Sequence, residues 1–218
     1  MCVDLSLLSF SFPALPRIHC IFPLRSFYAI QSTNPFAGNL SYTVHDTADD
    51  VTKRRAYILD SCKDLGLEEI FDGAQVHGKH VLFEPREEDR STEADGLATS
   101  KPHQGLFIKT ADCQSILIAE KSERAVLALH VGWRGNRSNF IHEAIEQFCT
   151  TYSVSPKDLF AVRGPSLSPQ RAEFVHFASE WPANFLPFFS RETQTMDLWA
   201  LTRFQLQQCG VPENHIRS

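Results

Sequence analysis

Two short apolar runs, residues 115–119 and 125–131, do most to limit what this 218-residue chain can fold into. Both read as buried strands. The first follows Thr110-Ala111-Asp112-Cys113, and the second stops at Gly132-Trp133-Arg134-Gly135. Residues 106–110 and 159–162 read as further short strands. Residues 70–82 read as a strand region interrupted by Gln75-Val76-His77-Gly78.

Helices are expected between these runs. In residues 47–66, Asp49 and Asp50 lie near the start, and Gly66 suits a C-terminal cap. In residues 139–152, Phe140, Ile141, Ala144, Ile145 and Phe148 recur at helical spacing after Ser138, a plausible N-cap. Ser168-Pro169 looks like a cap followed by an N1 proline, opening a helix through residue 177. Residues 197–209 form a last helix before Gly210, residues 181–189 an aromatic, proline-rich loop, and residues 86–93 a solvated charged turn. Strands and helices mix without strict alternation, and neither a GxGxxG nor a phosphate-binding P-loop occurs. The expected fold is therefore α+β, a mixed α/β sandwich, built as one domain over residues 1–218.

Composition removes several function classes. Hydrophobic residues make up 43% and charged residues 22%, as in an ordinary globular protein. A net charge of -5 argues against a general nucleic-acid binder. Cysteines at positions 2, 20, 62, 113, 149 and 209 are scattered and include no CxxC, which argues against a disulfide scaffold or a four-cysteine zinc module. The apolar opening carries Asp4, Pro13 and Pro16, which do not suit a signal peptide. No run approaches the ~20 apolar residues that span a bilayer. A cytoplasmic protein with free thiols, and no membrane or nucleic-acid partner, is the expectation.

Three chemistry-bearing residues lie at or just beyond strand ends: His77, Cys113 and His130. Rigid sheets present functional side chains at such places. Two imidazoles and a thiolate make a three-ligand set that leaves a fourth position on zinc open to water or substrate. Zinc so held would bring the pKa of a bound water toward ~7. Spacings of 36 and 17 positions demand nothing by themselves, and a lone buried His or Cys is more often plain packing. His80, close to His77, is an alternate ligand. Arg134, between Gly132 and Gly135 before a helix, reads equally as an anion-binding or as a solvated side chain.

The ordered set QVHG (75–78), Ala94-Asp95-Gly96-Leu97, TADC (110–113), HVGWRG (130–135), Gly164-Pro165-Ser166-Leu167 with Glu173, and Asp197-Leu198-Trp199 resembles the YfiH-type family. This is also called the laccase-domain or multicopper polyphenol oxidase family. The resemblance covers residues 39–210. It implies a sandwich related to the catalytic domain of cytotoxic necrotizing factor toxins, with His77, Cys113 and His130 as metal ligands. It further implies enzymes acting on purine nucleosides: phosphorolysis of adenosine, inosine, guanosine and methylthioadenosine, and deamination of adenosine. The older name implies copper, but a laccase needs several copper centres, and the sequence offers one three-ligand site.

The chain departs from the family pattern in three places. Residues 26–36 replace a glycine-rich stretch, Gln114-Ser115 replace a residue and proline after TADC, and the sequence ends at Ser218 before a Cys-Thr and Ser-x-Arg-Arg segment. The last departure bears on substrate affinity or oligomer contacts, not on the metal ligands.

Three functions suit these residues. The first is a zinc-dependent purine nucleoside phosphorylase and adenosine deaminase, with a nucleoside and phosphate as partners and Arg134 holding the anion. The second is a metal-free cysteine hydrolase or deamidase, with Cys113 as nucleophile and His130 as base. The third is a non-catalytic purine-binding homologue.

Overall fold

The computed structural model describes residues 4–218, so Cys2 lies outside the described residues. The described residues form the strands β1 (Leu5–Ser11), β2 (His19–Arg25), β3 (Glu69–Phe71), β4 (Val81–Phe83), β5 (Gly96–Thr99), β6 (Gln104–Leu106), β7 (Gln114–Glu120), β8 (Val126–Val131), β9 (Leu159–Arg163), β10 (Phe189–Ser190), β11 (Thr195–Met196) and β12 (Ile216–Arg217). Among the described residues the α-helices are α1 (Phe27–Gln31), α2 (Ala48–Ser61), α3 (Trp133–Arg137), α4 (Phe140–Tyr152), α5 (Phe177–Glu180) and α6 (Leu198–Gln208).

The two apolar runs become β7 and β8, the central strands of a six-stranded mixed sheet ordered β12-β9-β7-β8-β5-β4. Side chains alternate across a strand, so each strand feeds two cores. On one side Ile116, Ile118, Leu127, Leu129 and Val131 pack with Phe140, Ile141, Ile145 and Phe148 of α4. The helical spacing expected over 139–152 is what carries these aromatic and aliphatic groups to the sheet. On the other side Ala119 and Val162, flanked by Leu117 and Val126, meet Phe12, Leu15, Cys20 and Phe22 of the β1–β2 hairpin and its turn. The hairpin's far side joins α2 through Leu5, Ile58 and Cys62. The architecture is the expected mixed sandwich.

α2 begins as expected. Thr47 Oγ1 accepts the Asp50 N–H at 3.2 Å, and Asp49 and Asp50 occupy the first turn, where negative charge suits the helix dipole. A short 3-10 turn over Lys63–Leu65 closes on Gly66 at φ 80, a backbone geometry that glycine adopts without strain.

Elsewhere the structure departs from the expectations. Ser138 ends α3, and Asn139, in a left-handed conformation (φ 62), precedes α4 as its N-cap without a side-chain hydrogen bond. Pro169 opens no helix. The Met196 N–H donates to Ala172 O and the Phe174 N–H to Gln194 O, so long-range pairing takes the backbone groups that a helix would use. Only residues 177–180 turn helical, as α5. The loop after Trp181 contains a 3-10 turn over Ala183–Phe188, folded around an aromatic cluster of Phe177, Trp181 and Phe185. No helix among the described residues is long and apolar enough to cross a membrane.

Candidate metal centre

His77, Cys113 and His130 come together. One donor atom from each lies within 4.8 Å of the others, and no other group of three or more His, Cys, Asp or Glu among the described residues converges in this way. Cys113 Sγ is 3.8 Å from His77 Nε2, and the two imidazoles meet edge to face at 4.8 Å between ring centres. The three reach the site from different elements. His77 comes from the loop between β3 and β4, Cys113 from the residue before β7, and His130 from within β8.

Asp95 organises two of them. It immediately precedes β5, is 0% exposed, and belongs to the Ala94-Asp95-Gly96-Leu97 motif, to which no chemical role was attached. Its carboxylate accepts the backbone N–H groups of Val76 (3.1 Å), His77 (3.0 Å) and Gly78 (2.7 Å). Three successive donors on one anion hold the loop, with His77 in a left-handed conformation (φ 59) that side chains other than glycine seldom adopt. The same carboxylate bonds His130 Nδ1 at 2.7 Å. A carboxylate can only accept, so Nδ1 carries the proton and Nε2 is the atom turned toward a ligand. The available signal was its place in the Ala94-Asp95-Gly96-Leu97 motif.

Electrostatics follow from these contacts. Burial pushes Asp95 upward, but bonds from His130, Gly78 and Val76 outweigh it and hold the carboxyl below its usual range. Burial lowers His77, and the neighbouring His130 charge lowers it further. For His130, burial acts downward, yet the bonds to Asp95 and Cys113 carry its pKa up to about 9. A bound cation would have to replace the second imidazolium proton.

Close packing restricts the remaining wall. A Cβ on Gly132 would stand 3.0 Å from Cys113 Sγ and 3.2 Å from His77 Cδ2, so this glycine leaves the room in which the donors meet. On the far side of β7, Gln114 Nε2 donates to Asn136 Oδ1 (3.1 Å), and Asn136 Nδ2 donates to Thr202 Oγ1 (3.0 Å) and Gln205 Oε1 (2.8 Å). This buried network ties the residue beside Cys113 to α3 and α6. The Gly164–Ser168 turn anchors the same strand end through Gly164 N–H to Ser115 O (2.8 Å) and Leu167 N–H to Asp112 O (3.0 Å). Trp199 Nε1 holds that turn at Ser166 Oγ (3.0 Å) and Leu167 O (2.9 Å).

Arg134 is exposed, with its guanidinium 4.5 Å over the Trp133 ring, and its charge is felt by His77. The helix it belongs to, α3, has five residues, too short to act as the dipole-bearing helix start expected from sequence. His80 is not part of the group: its Nδ1 bonds Glu93 O at 2.7 Å.

The donor set suits a metal: two imidazoles and a thiol within reach of one point, with one imidazole oriented by a carboxylate as metal-binding histidines commonly are. The family model described as multi-copper polyphenol oxidoreductase laccase matches residues 29–218. The chain belongs to this laccase-domain family. Curated relatives include a purine nucleoside phosphorylase of Bacteroides thetaiotaomicron, 26% identical over 87% of this chain and 73% of its own length. Another is purine nucleoside phosphorylase YfiH of Escherichia coli, 28% identical over 64% of this chain. The laccase-domain chain spans 58% of that protein. Among solved structures, a Neisseria meningitidis protein aligns with TM-score 0.74 and 22% identity, covering 97% of this chain and 86% of its own. YlmD of Geobacillus stearothermophilus aligns with TM-score 0.68 and 24% identity, covering 82% of this chain and 72% of its own. These likenesses establish the fold. The relatives' names support an enzyme role for the laccase-domain chain.

Proposed function

We propose that this chain is a zinc-dependent purine nucleoside phosphorylase that also deaminates adenosine, with adenosine, inosine, guanosine or methylthioadenosine as substrate. The observation that carries the reading is the convergence of His77, Cys113 and His130 at strand ends beside an open hollow. The names of the relatives point the same way. In phosphorolysis a phosphate oxygen bonds to ribose C1′ while the C1′–N9 bond breaks and its electron pair leaves with the purine.

His77, Cys113 and His130 would hold zinc, which when bound supplies Lewis acidity to an oxygen in the open position. Copper fits less well as a resident oxidase metal, because three donors at one point are a single site. Asp95 keeps the His130 Nδ1 proton in place, so Nε2 stays directed inward. Arg134, exposed beside His77, is the group proposed to hold the phosphate, through the fork geometry of its guanidinium. Nucleoside and phosphate are the proposed partners.

The test is product analysis with adenosine, with and without phosphate, on the protein and on Cys113→Ala, together with zinc content. Adenine formed only with phosphate supports phosphorolysis, and inosine supports deamination. Full activity in a zinc-free Cys113→Ala protein overturns the reading.

A specific contact favours a second reading. Cys113, His130 and Asp95 would serve as nucleophile, base and orienting carboxylate of a cysteine hydrolase or deamidase. Purified protein without zinc whose Cys113 is alkylated by iodoacetamide near neutral pH would favour it.

A further inference from the structure

His77 and Cys113 stand on segments that no sheet holds together. β3 and β6 run parallel as far as Phe71 and Leu106, and the Phe107 N–H still donates to Phe71 O at 2.7 Å. There the ladder ends. The chain runs on through residues 72–76 to His77 and through residues 108–112 to Cys113.

One side chain resumes the pairing. Gln75 Nε2 donates to Lys109 O at 2.7 Å, and the Lys109 N–H donates to Gln75 Oε1 at 2.8 Å. Facing residues of an antiparallel pair exchange two bonds in this way, and here an amide side chain takes the place of one backbone. Lys109 O can meet only a donor and the Lys109 N–H only an acceptor, so one orientation of the amide satisfies both. Gln75 and Lys109 are 34 positions apart in the chain. His77 follows Gln75 by two residues, and Cys113 follows Lys109 by four.

The other bonds of the two loops do not join these donors. The loop of His77 is fastened to the segment before β5: the Ala74 N–H donates to Thr92 O (3.0 Å), the Ala94 N–H to Ala74 O (3.1 Å), and Asp95 takes the N–H groups of residues 76–78. Those bonds tie His77 to His130 and leave Cys113 out. Neither Thr110 nor Ala111 makes a hydrogen bond among the described residues. The approach to Cys113 therefore hangs between Lys109 at one end and the Leu167–Asp112 bond at the other. Lys109 Nζ also reaches Asp72 Oδ2 (2.6 Å) and Gly73 O (2.9 Å), but on a flexible four-carbon stem. Gln75 grips the backbone itself.

Resting on the reading of the three donors as a metal site, we propose that Gln75 is the positioning residue that sets Cys113 against His77, its amide joining the two ligand-bearing loops. Donors held in place before the metal arrives spare binding the cost of ordering them. Glutamate in this place accepts from the Lys109 N–H but cannot donate to Lys109 O, and methionine keeps the length and makes neither bond.

The experiment loads cobalt(II) in place of zinc and reads two signals: the thiolate-to-cobalt charge-transfer band, which reports the Cys113 bond, and metal affinity by competition with a chelator. Gln75→Met and Gln75→Glu are compared with the parent and with Lys109→Met, which removes the Nζ bonds and keeps the backbone pair. In each Gln75 variant that melts as a folded protein, affinity is expected to fall about tenfold and the band to lose at least about half its intensity, as for groups that orient metal ligands. Lys109→Met is expected to melt lower and keep the band. A full band and parental affinity in either folded Gln75 variant overturn the proposal and leave the metal reading standing. Equal loss of the band in Lys109→Met overturns it too, since any loosening of the loops would then scatter the donors. A parent that takes up no cobalt overturns the metal reading and the proposal together. The expected losses in a parent that turns over no nucleoside uphold the role of Gln75 and overturn the phosphorylase reading.

Discussion

Asp95 and His130 are tied twice, by a 2.7 Å bond between carboxylate Oδ1 and Nδ1 and by a 2.7 Å bond from the His130 backbone N–H to Asp95 O. The backbone bond belongs to the contact between the residue preceding β5 and β8. The side-chain bond fixes the ring. Since the same carboxylate also holds the loop of His77, one residue sets the direction of two donors that lie 53 positions apart.

Replacing Asp95 by Asn tests this. An amide cannot accept from Nδ1 and from three backbone N–H groups with equal strength, and the charge is lost. Zinc affinity, read by competition with a chelator, is expected to fall about 10- to 100-fold, as for other residues that orient metal-binding histidines. Unchanged affinity would show that the carboxylate is only structural.

Gly132→Ala puts a methyl 3.0 Å from Cys113 Sγ and 3.2 Å from His77 Cδ2. Gly132 itself has an ordinary backbone conformation (φ -79), so the fold has little reason to object. The donors must move apart, and small misplacements at a reacting centre can cost about 100-fold. Zinc content and adenosine turnover should drop by at least tenfold, with a melting temperature close to the parent's.

Asn136→Leu should act on stability first. Asn136 is fully buried, and its side-chain bonds to Gln114, Thr202 and Gln205 all disappear, leaving their polar groups unsatisfied. Each buried orphan costs about 1–3 kcal/mol, so a loss of about 3 kcal/mol or more is expected in urea denaturation. A change below about 1 kcal/mol would mean that the network relaxes without cost.

Acid should weaken the fold through Asp72. Burial pushes this carboxyl upward, but Arg55 and Lys109, bonded at 2.9 and 2.6 Å, outweigh burial and hold it below its ordinary value of 3.8. Its folded value is thus depressed, and its stabilising contribution is complete above the unfolded value. The contribution is lost as pH falls below about 4 through the folded value. The stability gap between the parent and Asp72→Asn should be widest near pH 7 and close as pH falls toward 2. Denaturant titrations across pH 2–7 would show it, and a gap independent of pH would contradict the assignment.

Much of this was legible in the chain. The runs at 115–119 and 125–131 gave β7 and β8 because an uninterrupted apolar stretch needs a core on both sides. The spacing of Phe140, Ile141, Ala144, Ile145 and Phe148 gave α4 because every third or fourth residue shares a helix face. Ser168-Pro169 misled, because cap chemistry is local while Met196 and Gln194 competed for the same backbone from far along the chain. His77, Cys113 and His130 were recognisable from their positions at strand ends, but their spacing alone carried no geometry.

Residue type and order, then, determined the central strands β7 and β8 and the helix α4, the absence of a basic excess, and which side chains could bind a metal. Tertiary structure decided which of them meet. It excluded His80, whose ring is spent on Glu93 O, and it recruited Asp95, a motif residue with no role readable from its position in the chain. It also left Leu117 and Val126 facing a hollow. The physical reason is range. Apolar periodicity and capping act over a few residues and are written in the local sequence. Hydrogen bonds between β3–β4, β5 and β8, and the space left between β2 and β6, exist only once the sheet has brought distant segments together.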